Sequence, residues 1–298
     1  MRIISKYGKD EIAFVYVADI NGKIIEFVES VQPPIPREEK WVIIVSTLFG
    51  CPVKCPICDA GGNYKGRLSR NEIFAQIEFI IKQRYNGMKI PVERFKIQFS
   101  RIGEPSFNRN VLSVIDEIKD IIEAQNIIPS ISTIAPVGTE NFFKQLLDIK
   151  KKKFNKDFQL QFSIHSTDKK ARDYLIPVKK WDFERIKEYG EEFYNGGKKI
   201  TLNFALSQFP IDAREMIKYF SPEIFIIKIT PVNPTYNATR NNFNILLPSN
   251  YDERIISLKE EGYEVILSIG ELEENNIGSN CGQFAYKYKE FYNGNGIK

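Results

Sequence analysis

The N-terminal hydrophobic pattern predicts a β-hairpin. An alternating apolar and polar run covers residues 11–18, Asn21-Gly22 follows, and a second apolar run covers residues 23–31. Asn-Gly readily adopts the positive φ angles of a type I′ hairpin turn. Prolines 33, 34 and 36 come next, and proline cannot donate a hydrogen bond to a strand ladder. We therefore predict an N-terminal hairpin extension over residues 1–40.

Beyond residue 40, short apolar runs alternate with amphipathic stretches. The apolar runs predict seven strands: Trp41–Thr47, Phe95–Ser100, Ser130–Ile134, Phe158–His165, Ile200–Leu206, Ile224–Thr230 and Glu264–Ile269. The clearest helix begins at Ser69, where Glu72 completes a capping box before isoleucines that share one face. Further helices are predicted over residues 109–125, 139–153, 182–194, 212–220 and 250–262. This alternation is typical of a parallel sheet covered by helices. We predict a partial (β/α)6 barrel over residues 41–298, ending in an added strand and helix.

Composition narrows the class of protein. The chain has 298 residues, of which 43% are hydrophobic, enough for a large buried core, while 27% are charged. It contains no apolar run of about 18 residues and no N-terminal signal pattern, so we expect a cytoplasmic protein without a membrane partner. The net charge of +4 is too small to indicate a partner. The basic run Lys150–Lys153 reads as a solvated helix end rather than as a nucleic-acid contact.

Three of the four cysteines form a C-x3-C-x2-C motif: Cys51, Cys55 and Cys58. Disulfides are improbable in a large chain without a secretory signal, so close thiols point to metal. Three thiolates can hold three corners of a 4Fe–4S cluster and leave the fourth iron open. This motif is typical of radical S-adenosylmethionine (SAM) enzymes, in which SAM binds the open iron. The alternatives are a zinc site, which prefers two C-x2-C pairs, and incidental core cysteines.

The other candidate residues follow the predicted strands, where the loops of a β/α barrel converge on one mouth. They are Gly103, Glu104, Ser132, Ser163, Ile164, His165, Asn233 and Cys281. Glu104 offers a carboxylate to the ammonium group of SAM, although it would also suit a solvated turn. His165, the only histidine, is equally compatible with a barrel side chain whose hydrogen bonds are all made within the protein.

The chain resembles the RlmN/Cfr family of radical SAM RNA adenine-carbon methylases over roughly residues 10–290. The matching segments are Phe49-Gly-Cys-Pro-Val-Lys-Cys-Pro-Ile-Cys58, Gly103-Glu-Pro105, Ser132-Thr133, Phe162-Ser-Ile-His165, Pro231-Val-Asn-Pro234, Cys281-Gly-Gln283 and, on the hairpin, Val28-Glu-Ser-Val31. The resemblance implies that the strand-end residues from Gly103 to Asn233 bind SAM and that Cys281 carries the methyl group. It also implies that Glu29 lies by the substrate. Glu29 is equally compatible with a solvated acid on the hairpin, and Cys281 with a buried small residue.

The family mechanism gives a chemical reason for a cysteine at position 281. An aromatic carbon is too weak a nucleophile to take a methyl group from SAM directly, so a cysteine accepts the methyl group first. The resemblance further implies a one-electron donor such as flavodoxin or ferredoxin.

Three departures from the family limit the inference, and the first two of them weaken RNA as the substrate. Ile44 stands where the family has a second cysteine that releases the product. We also expect no N-terminal RNA-binding domain, and Ile57 replaces a common aromatic residue. Weak RNA binding is therefore expected unless a partner supplies it.

The sequence predicts a radical SAM enzyme, with methyl transfer through Cys281 as the leading hypothesis and RNA, a small molecule or a peptide as substrate. One alternative is an enzyme that applies the radical directly to a small molecule or peptide. Another is a non-catalytic cluster-binding protein.

Overall fold

A computed structural model describes residues 1–31, 35–244, 246–268, 284–285 and 287. The strands are β1 Arg2–Lys9, β2 Ala13–Ile20, β3 Lys23–Ser30, β4 Lys40–Val45, β5 Lys89–Ile90, β6 Arg94–Phe99, β7 Glu123–Ala124, β8 Ile127–Thr133, β9 Gln159–Ser163, β10 Ile200–Leu206, β11 Phe225–Pro231 and β12 Val265–Leu267. All but two join one sheet, in the order β1-β2-β3-β4-β6-β8-β9-β10-β11-β12. The short strands β5 and β7 pair with each other.

The strands from β4 to β12 run parallel, as the pattern of apolar runs predicts. The partial β/α barrel is confirmed, with β12 as the added C-terminal strand. β8 begins three residues before its predicted start, because Pro129 lies inside the strand and interrupts the apolar pattern. The predicted C-terminal helix falls largely outside the described residues.

The N-terminal hairpin is confirmed, and one more strand precedes it. Asn21 and Gly22 have φ angles of 53° and 75° at the turn between β2 and β3. The unpredicted β1 pairs with β2 through a register shift between Ile3 and Ser5, which breaks the two-residue period that would reveal a strand. β3 pairs with β4, so the N-terminal strands continue the barrel sheet. The domain division near residue 40 stays a prediction.

Eight α-helices cover the sheet. They are α1 Arg70–Lys82, α2 Asn110–Ile121, α3 Glu140–Ile149, α4 Lys169–Leu175, α5 Phe183–Phe193, α6 Ala213–Ile217, α7 Tyr236–Arg240 and α8 Glu253–Glu260 within the described residues. The capping box at Ser69 and Glu72 forms as predicted. The sequence pattern misses α4 and α7, because each is shorter than the two turns needed to show a period of 3.6. No helix in the described ranges is long and apolar enough to cross a bilayer.

The basic run at the end of α3 is less solvated than predicted. Residues 150–154 form a π-helical turn in which Lys150 is buried and donates to the carbonyl of Phe193 at 2.7 Å. Lys153 pairs with Asp116 and Asp120 of α2. Lys151 also pairs with Glu192 of α5 at 3.7 Å, so three of the four cations have tertiary partners and the run packs this helix end against its neighbours.

Each barrel strand has an outer and an inner face. The outer residues, such as Trp41, Ile43 and Val45 of β4, join the main hydrophobic core with the apolar face of α1. From β4 to β11, the strand registers align the inner residues, which we call the barrel interior: Lys40, Val42, Ile44, Arg94, Lys96, Gln98, Ile128, Ser130, Ser132, Gln159, Gln161, Ser163, Thr201, Asn203, Ala205, Ile226, Lys228 and Thr230. Most of these side chains are polar, in contrast to the apolar outer face.

Candidate active site

The three cysteines lie in the loop between β4 and α1, at the carboxyl end of the first barrel strand. None of them is in a disulfide, and each side chain is partly exposed. The backbone N–H of Cys58 donates to the carbonyl of Cys55 at 3.1 Å, and that of Gly62 to Cys51 at 2.8 Å. Gly50 has a φ angle of 73°, and a Cβ there would lie 2.5 Å from the carbonyl oxygen of Gly62. This tight fold therefore requires glycine before the first cysteine.

The start of α7 fixes the cysteine loop from the other side of the barrel. The carboxylate of Asp59 accepts the backbone N–H groups of Tyr236 and Asn237, each at 2.9 Å. In return, the Asn237 side chain donates to the carbonyl of Cys58 and Thr235 Oγ1 to that of Ile57, each at 3.0 Å. These contacts join the loop after β4 to the loop after β11. These residues were not predicted from the sequence, although an acid directly after the motif and a Thr N-cap pattern at 235 were available signals.

The environment of the thiols is apolar. Burial is the main cause that raises the pKa of Cys51 to about 11 and that of Cys55 to about 12, and the nearby Glu104 carboxylate contributes. Such thiols ionise only when a cation binds them, as iron in a cluster would.

A mononuclear metal site is not supported by the geometry. In the described part of the chain, no three His, Cys, Asp or Glu side chains converge in a way that could hold one metal ion. Each cysteine of a 4Fe–4S cluster binds a different iron atom, so the three thiols need not meet at one point. Three cysteine thiols are the donor set that would hold a 4Fe–4S cluster with one iron left open.

Glu104 is buried at the carboxyl end of β6 and is held by four donors. One oxygen accepts from Ser106 N at 3.1 Å, Ser106 Oγ at 2.8 Å and Thr133 Oγ1 at 2.5 Å, and the other from Ile134 N at 2.9 Å. No lysine or arginine in the described ranges forms an ion pair with it, and burial raises its pKa. A buried carboxylate without a cation suits the ammonium group of SAM. The alternative of a solvated turn acid is wrong, since Glu104 is 5% exposed.

Gly103 lets this loop approach the cysteine loop. Its φ angle is 103°, and a Cβ would lie 2.4 Å from Cγ of Leu48. The N–H groups of Thr47 and Leu48 donate to the carbonyl of Ile102 at 2.9 and 3.1 Å. The loops after β4 and β6 are therefore one packed unit, which brings Glu104 to the thiols.

The predicted residues after β8 and β9 lie along the inner rim. Ser132 Oγ accepts from Gln161 Nε2 at 3.0 Å, and Ser163 pairs in register with Asn203. The side chain of Ile164 points into the main core, so only its backbone could contact a ligand at the mouth.

His165 is a fixed, neutral side chain. It has a φ angle of 64°, and its Nδ1 accepts the N–H of Ala205 at 3.1 Å. Burial lowers its pKa to about 4, with a smaller effect of Arg172. The imidazole is therefore uncharged at neutral pH, and its Nε2 carries the proton.

The two remaining predicted residues are Asn233 and Cys281. Asn233 is exposed beyond β11, and its carbonyl accepts the N–H of Thr235 at 2.7 Å. Cys281 lies outside the described residues. Its role therefore stays a prediction.

Glu29 is not brought to the cysteines. Its side chain is 1% exposed and packs on the outer face of the sheet, where Trp41 Nε1 donates to it at 3.1 Å and Tyr16 Oη at 3.4 Å. Arg84 and Arg37 form ion pairs with the same carboxylate. The solvated-acid alternative is therefore wrong, and the carboxylate lies away from the barrel interior.

Glu26, on the other face of β3, was missed. It is buried, pairs with Arg101 at 2.8 Å, and accepts the N–H groups of Phe284 and Ala285 at 3.1 and 3.0 Å. Residues 26 and 29 are three apart in a strand, so they face opposite sides of the sheet. Strand alternation, applied to β3, would have indicated which glutamate faces inward.

Comparison with known proteins places this geometry in context. No protein-family model matches the chain. It is 27% identical over 252 residues to the probable dual-specificity RNA methyltransferase RlmN of Pseudothermotoga lettingae, covering 78% of this chain and 68% of the relative. RlmN of Helicobacter hepaticus is 30% identical over 186 residues, which cover 62% of this chain and 44% of that protein. A radical SAM methyltransferase from Sphaerobacter thermophilus shares the fold, with a TM-score of 0.69, 21% identity and coverage of 94% of this chain and 80% of that one.

Proposed function

Because this chain is an RlmN/Cfr-like radical SAM enzyme, we propose that it methylates a carbon atom of its substrate and that Cys281 carries the methyl group. The observation that carries the SAM site is Glu104, a buried carboxylate held by four hydrogen bonds, unpaired with any described cation, and close to Cys51 and Cys55. The similarity to RlmN proteins supports methyl transfer.

Each set of residues has a defined task. Cys51, Cys55 and Cys58 hold the 4Fe–4S cluster, and Glu104 binds the ammonium group of SAM. Ser132, Ser163 and the backbone at Ile164 line the path of the SAM nucleoside, and His165 keeps a neutral N–H there. When bound, the cluster and SAM together supply a 5′-deoxyadenosyl radical.

Cys281 connects that radical to the substrate. Its thiolate would attack the methyl carbon of one SAM molecule, forming an S–CH3 bond as S-adenosylhomocysteine leaves. The 5′-deoxyadenosyl radical from a second SAM molecule would take one hydrogen atom from this S-methyl group, giving 5′-deoxyadenosine and a methylene radical that adds to the substrate carbon. Ile44 faces the barrel interior between Val28 and Gln98, so no described thiol stands ready to release the adduct. After the adduct radical gives one electron to the one-electron partner and loses a proton, an external thiolate would have to attack the Cys281 sulfur, forming an S–S bond as the S–CH2 bond breaks and leaves a methyl group on the substrate.

A second candidate uses the radical directly on a small substrate, and the same observation at Ile44 favours it. The names of the relatives support RNA as the first substrate to test. The polar barrel interior also suits a small molecule.

Anaerobic reconstitution with iron, sulfide, SAM and dithionite tests the radical chemistry. The wild-type protein should form 5′-deoxyadenosine, and Cys55→Ala should form none. Glu191→Gln, an exposed helix position, is the matched control and should behave as wild type. Absence of 5′-deoxyadenosine from the reconstituted wild type would overturn the enzyme assignment.

Mass spectrometry of Cys281 separates the two candidates. With methyl-labelled SAM, the methyl-carrier proposal expects an additional labelled methyl group on Cys281, absent in Cys281→Ala. An unmodified thiol in a preparation that makes 5′-deoxyadenosine would decide for the direct radical candidate.

A further inference from the structure

A cavity of about 880 Å³ lies beside the mouth of the barrel, among the segments that follow β8 and β9. It is lined in part by Thr167 after β9, Arg172 of α4, Phe183 of α5 and Tyr219 after α6. None of the described lining residues is a proposed ligand of the cluster or of SAM. The cavity is therefore separate from the candidate active site, and its volume suits a small organic molecule.

Arg172 is a buried side chain with an open hydrogen-bonding edge. It is 7% exposed, its Nη1 donates to the carbonyl of Trp181 at 2.9 Å, and its Cζ lies 5.0 Å from the centroid of the Phe183 ring. The other two nitrogens, Nε and Nη2, are buried and have no hydrogen-bond partner. These two nitrogens share the edge of the guanidinium plane that can donate two parallel hydrogen bonds to one anion. The contacts with Trp181 and Phe183 thus orient a fork that the protein leaves open.

The carboxylates around this cavity do not fill the fork. Each of the four acidic side chains that line it has another partner: Asp173 pairs with Lys169 and Lys180, Glu184 with Lys187 and Glu215 with Lys218, and Asp182 accepts the N–H of Arg185. Burial lowers the pKa of Arg172 to about 10, against the opposing effect of Asp173 and Asp182, so the guanidinium is charged at neutral pH. A buried cation with unmet donors is rare in native proteins and points to a bound anion.

We propose that this cavity binds an organic monocarboxylate, whose two oxygens accept from Nε and Nη2 of Arg172. The rest of the ligand is apolar, because the cavity wall includes Val137, Ile176, Pro177, Val178 and Tyr219. A phosphate dianion suits the cavity less, since one planar fork offers one charge and the four acidic side chains repel a second negative charge. The site does not depend on methyl transfer.

Isothermal titration of the reconstituted protein with 1-naphthylacetate is the first test, with 1-naphthylacetamide as the neutral ligand of the same shape. We expect saturable binding of the acid, and weaker binding of the amide by roughly tenfold or more, because hydrogen bonds to a charged group are the stronger ones. Absent binding of the acid, or equal affinity for the amide, would overturn the site. This comparison uses only the wild-type protein, so it stands even where a variant does not fold.

Two substitutions of Arg172 then test the fork. Arg172→Met should weaken binding of 1-naphthylacetate by roughly tenfold or more. Arg172→Lys should weaken it as well, because lysine keeps the charge but has no planar pair of donors. Arg214→Met removes an exposed arginine of α6 that does not line the cavity, and it should bind as wild type does. Wild-type affinity in a folded Arg172→Lys would show that the fork is not the binding group.

Further titrations test the ligand class and the location. 1-Naphthyl phosphate should bind more weakly than the acid, and tighter binding would overturn the monocarboxylate assignment. Saturating SAM should not displace 1-naphthylacetate, and Cys55→Ala should bind it as wild type does. Displacement by SAM, or loss of binding in Cys55→Ala, would move the ligand to the candidate active site and overturn the separate cavity site.

Discussion

At the scale of single residues, the candidate active site depends on ionisable groups whose pKa values are raised by burial. Glu104 is a carboxylate whose oxygens are oriented by donors from two loops, while Cys51 and Cys55 are thiols kept protonated by an apolar setting. Under the proposed function, positive charge would complete both kinds of group: the ammonium group of SAM at Glu104 and iron at the thiols. The position of Glu104 beside the thiols would then bring the two cofactors together.

Glu104→Gln tests this charge. The substitution keeps the size of the side chain but removes the negative charge, and a hydrogen bond to a charged group contributes about 1.5–3 kcal/mol. SAM affinity should fall by roughly 10–100-fold, and 5′-deoxyadenosine formation should fall with it. Equilibrium dialysis with labelled SAM is the measurement, with Glu191→Gln as control. Unchanged SAM affinity at unchanged iron content would contradict the role.

Lys96 makes stability depend on pH. Its pKa is about 7 in the folded protein against an ordinary value of 10.5, so the unfolded chain holds the extra proton between these values. Unfolding free energy should therefore rise with pH over that window, by up to about 1.4 kcal/mol per pH unit from this group. In Lys96→Met that part of the rise should disappear.

Urea unfolding at several pH values between about 7 and 10 measures the effect. Lys170→Met should keep the wild-type slope, because residue 170 is exposed. A slope in Lys96→Met equal to that of wild type would show that Lys96 is not the group concerned.

At the scale of elements, short connections position the cysteines. The loop after β4 is bound on one side to the Gly103 loop and on the other to α7, through Asp59 and Asn237. Because both anchors come from other strands, the shape of the cysteine loop depends on closure of the barrel mouth.

Asp59→Ala tests the anchor to α7. Loss of a side-chain acceptor at the start of a helix costs about 1–2 kcal/mol, and here it also frees the loop that carries Cys58. We expect iron to leave the reconstituted protein several-fold faster when a chelator is added, although all three cysteines remain. Asp148→Ala, an exposed position on α3, is the control. Equal rates of iron loss would show that α7 does not hold the loop.

At the scale of the whole molecule, the N-terminal strands and the C-terminal segment are joined through Glu26. Its carboxylate pairs with the buried Arg101 and accepts two backbone N–H groups, at residues 284 and 285. This contact links β3, the loop after β6 and a point three residues beyond Cys281.

Glu26→Gln should destabilise the fold strongly. It leaves the Arg101 charge without its buried partner, and breaking a buried pair on one side costs about 3–5 kcal/mol. Denaturant unfolding is the measurement, and Glu11→Gln, on an exposed turn, should change the free energy of unfolding little. A small effect at Glu26 would mean that the described pair contributes little to folding.

The sequence by itself determined the features that depend on local spacing. The β-α alternation predicted the parallel sheet. Asn21-Gly22 predicted the hairpin turn, and Ser69 with Glu72 predicted the start of α1. Each of these features depends on residues that are near one another in the sequence. The cysteine motif and Gly103-Glu-Pro105 indicated the chemistry for the same reason.

Only the tertiary structure decided which side chains meet. Glu29 and Glu26 are three residues apart on one strand, yet the sheet turns the first toward α1 and the second toward residue 284. Asp59 and Asn237 are far apart in sequence, yet the barrel brings the loop after β4 against the start of α7. Alternation along β3 separates the faces of the two glutamates, but the partner that each one meets depends on strand register and barrel closure, which are properties of the whole packed sheet.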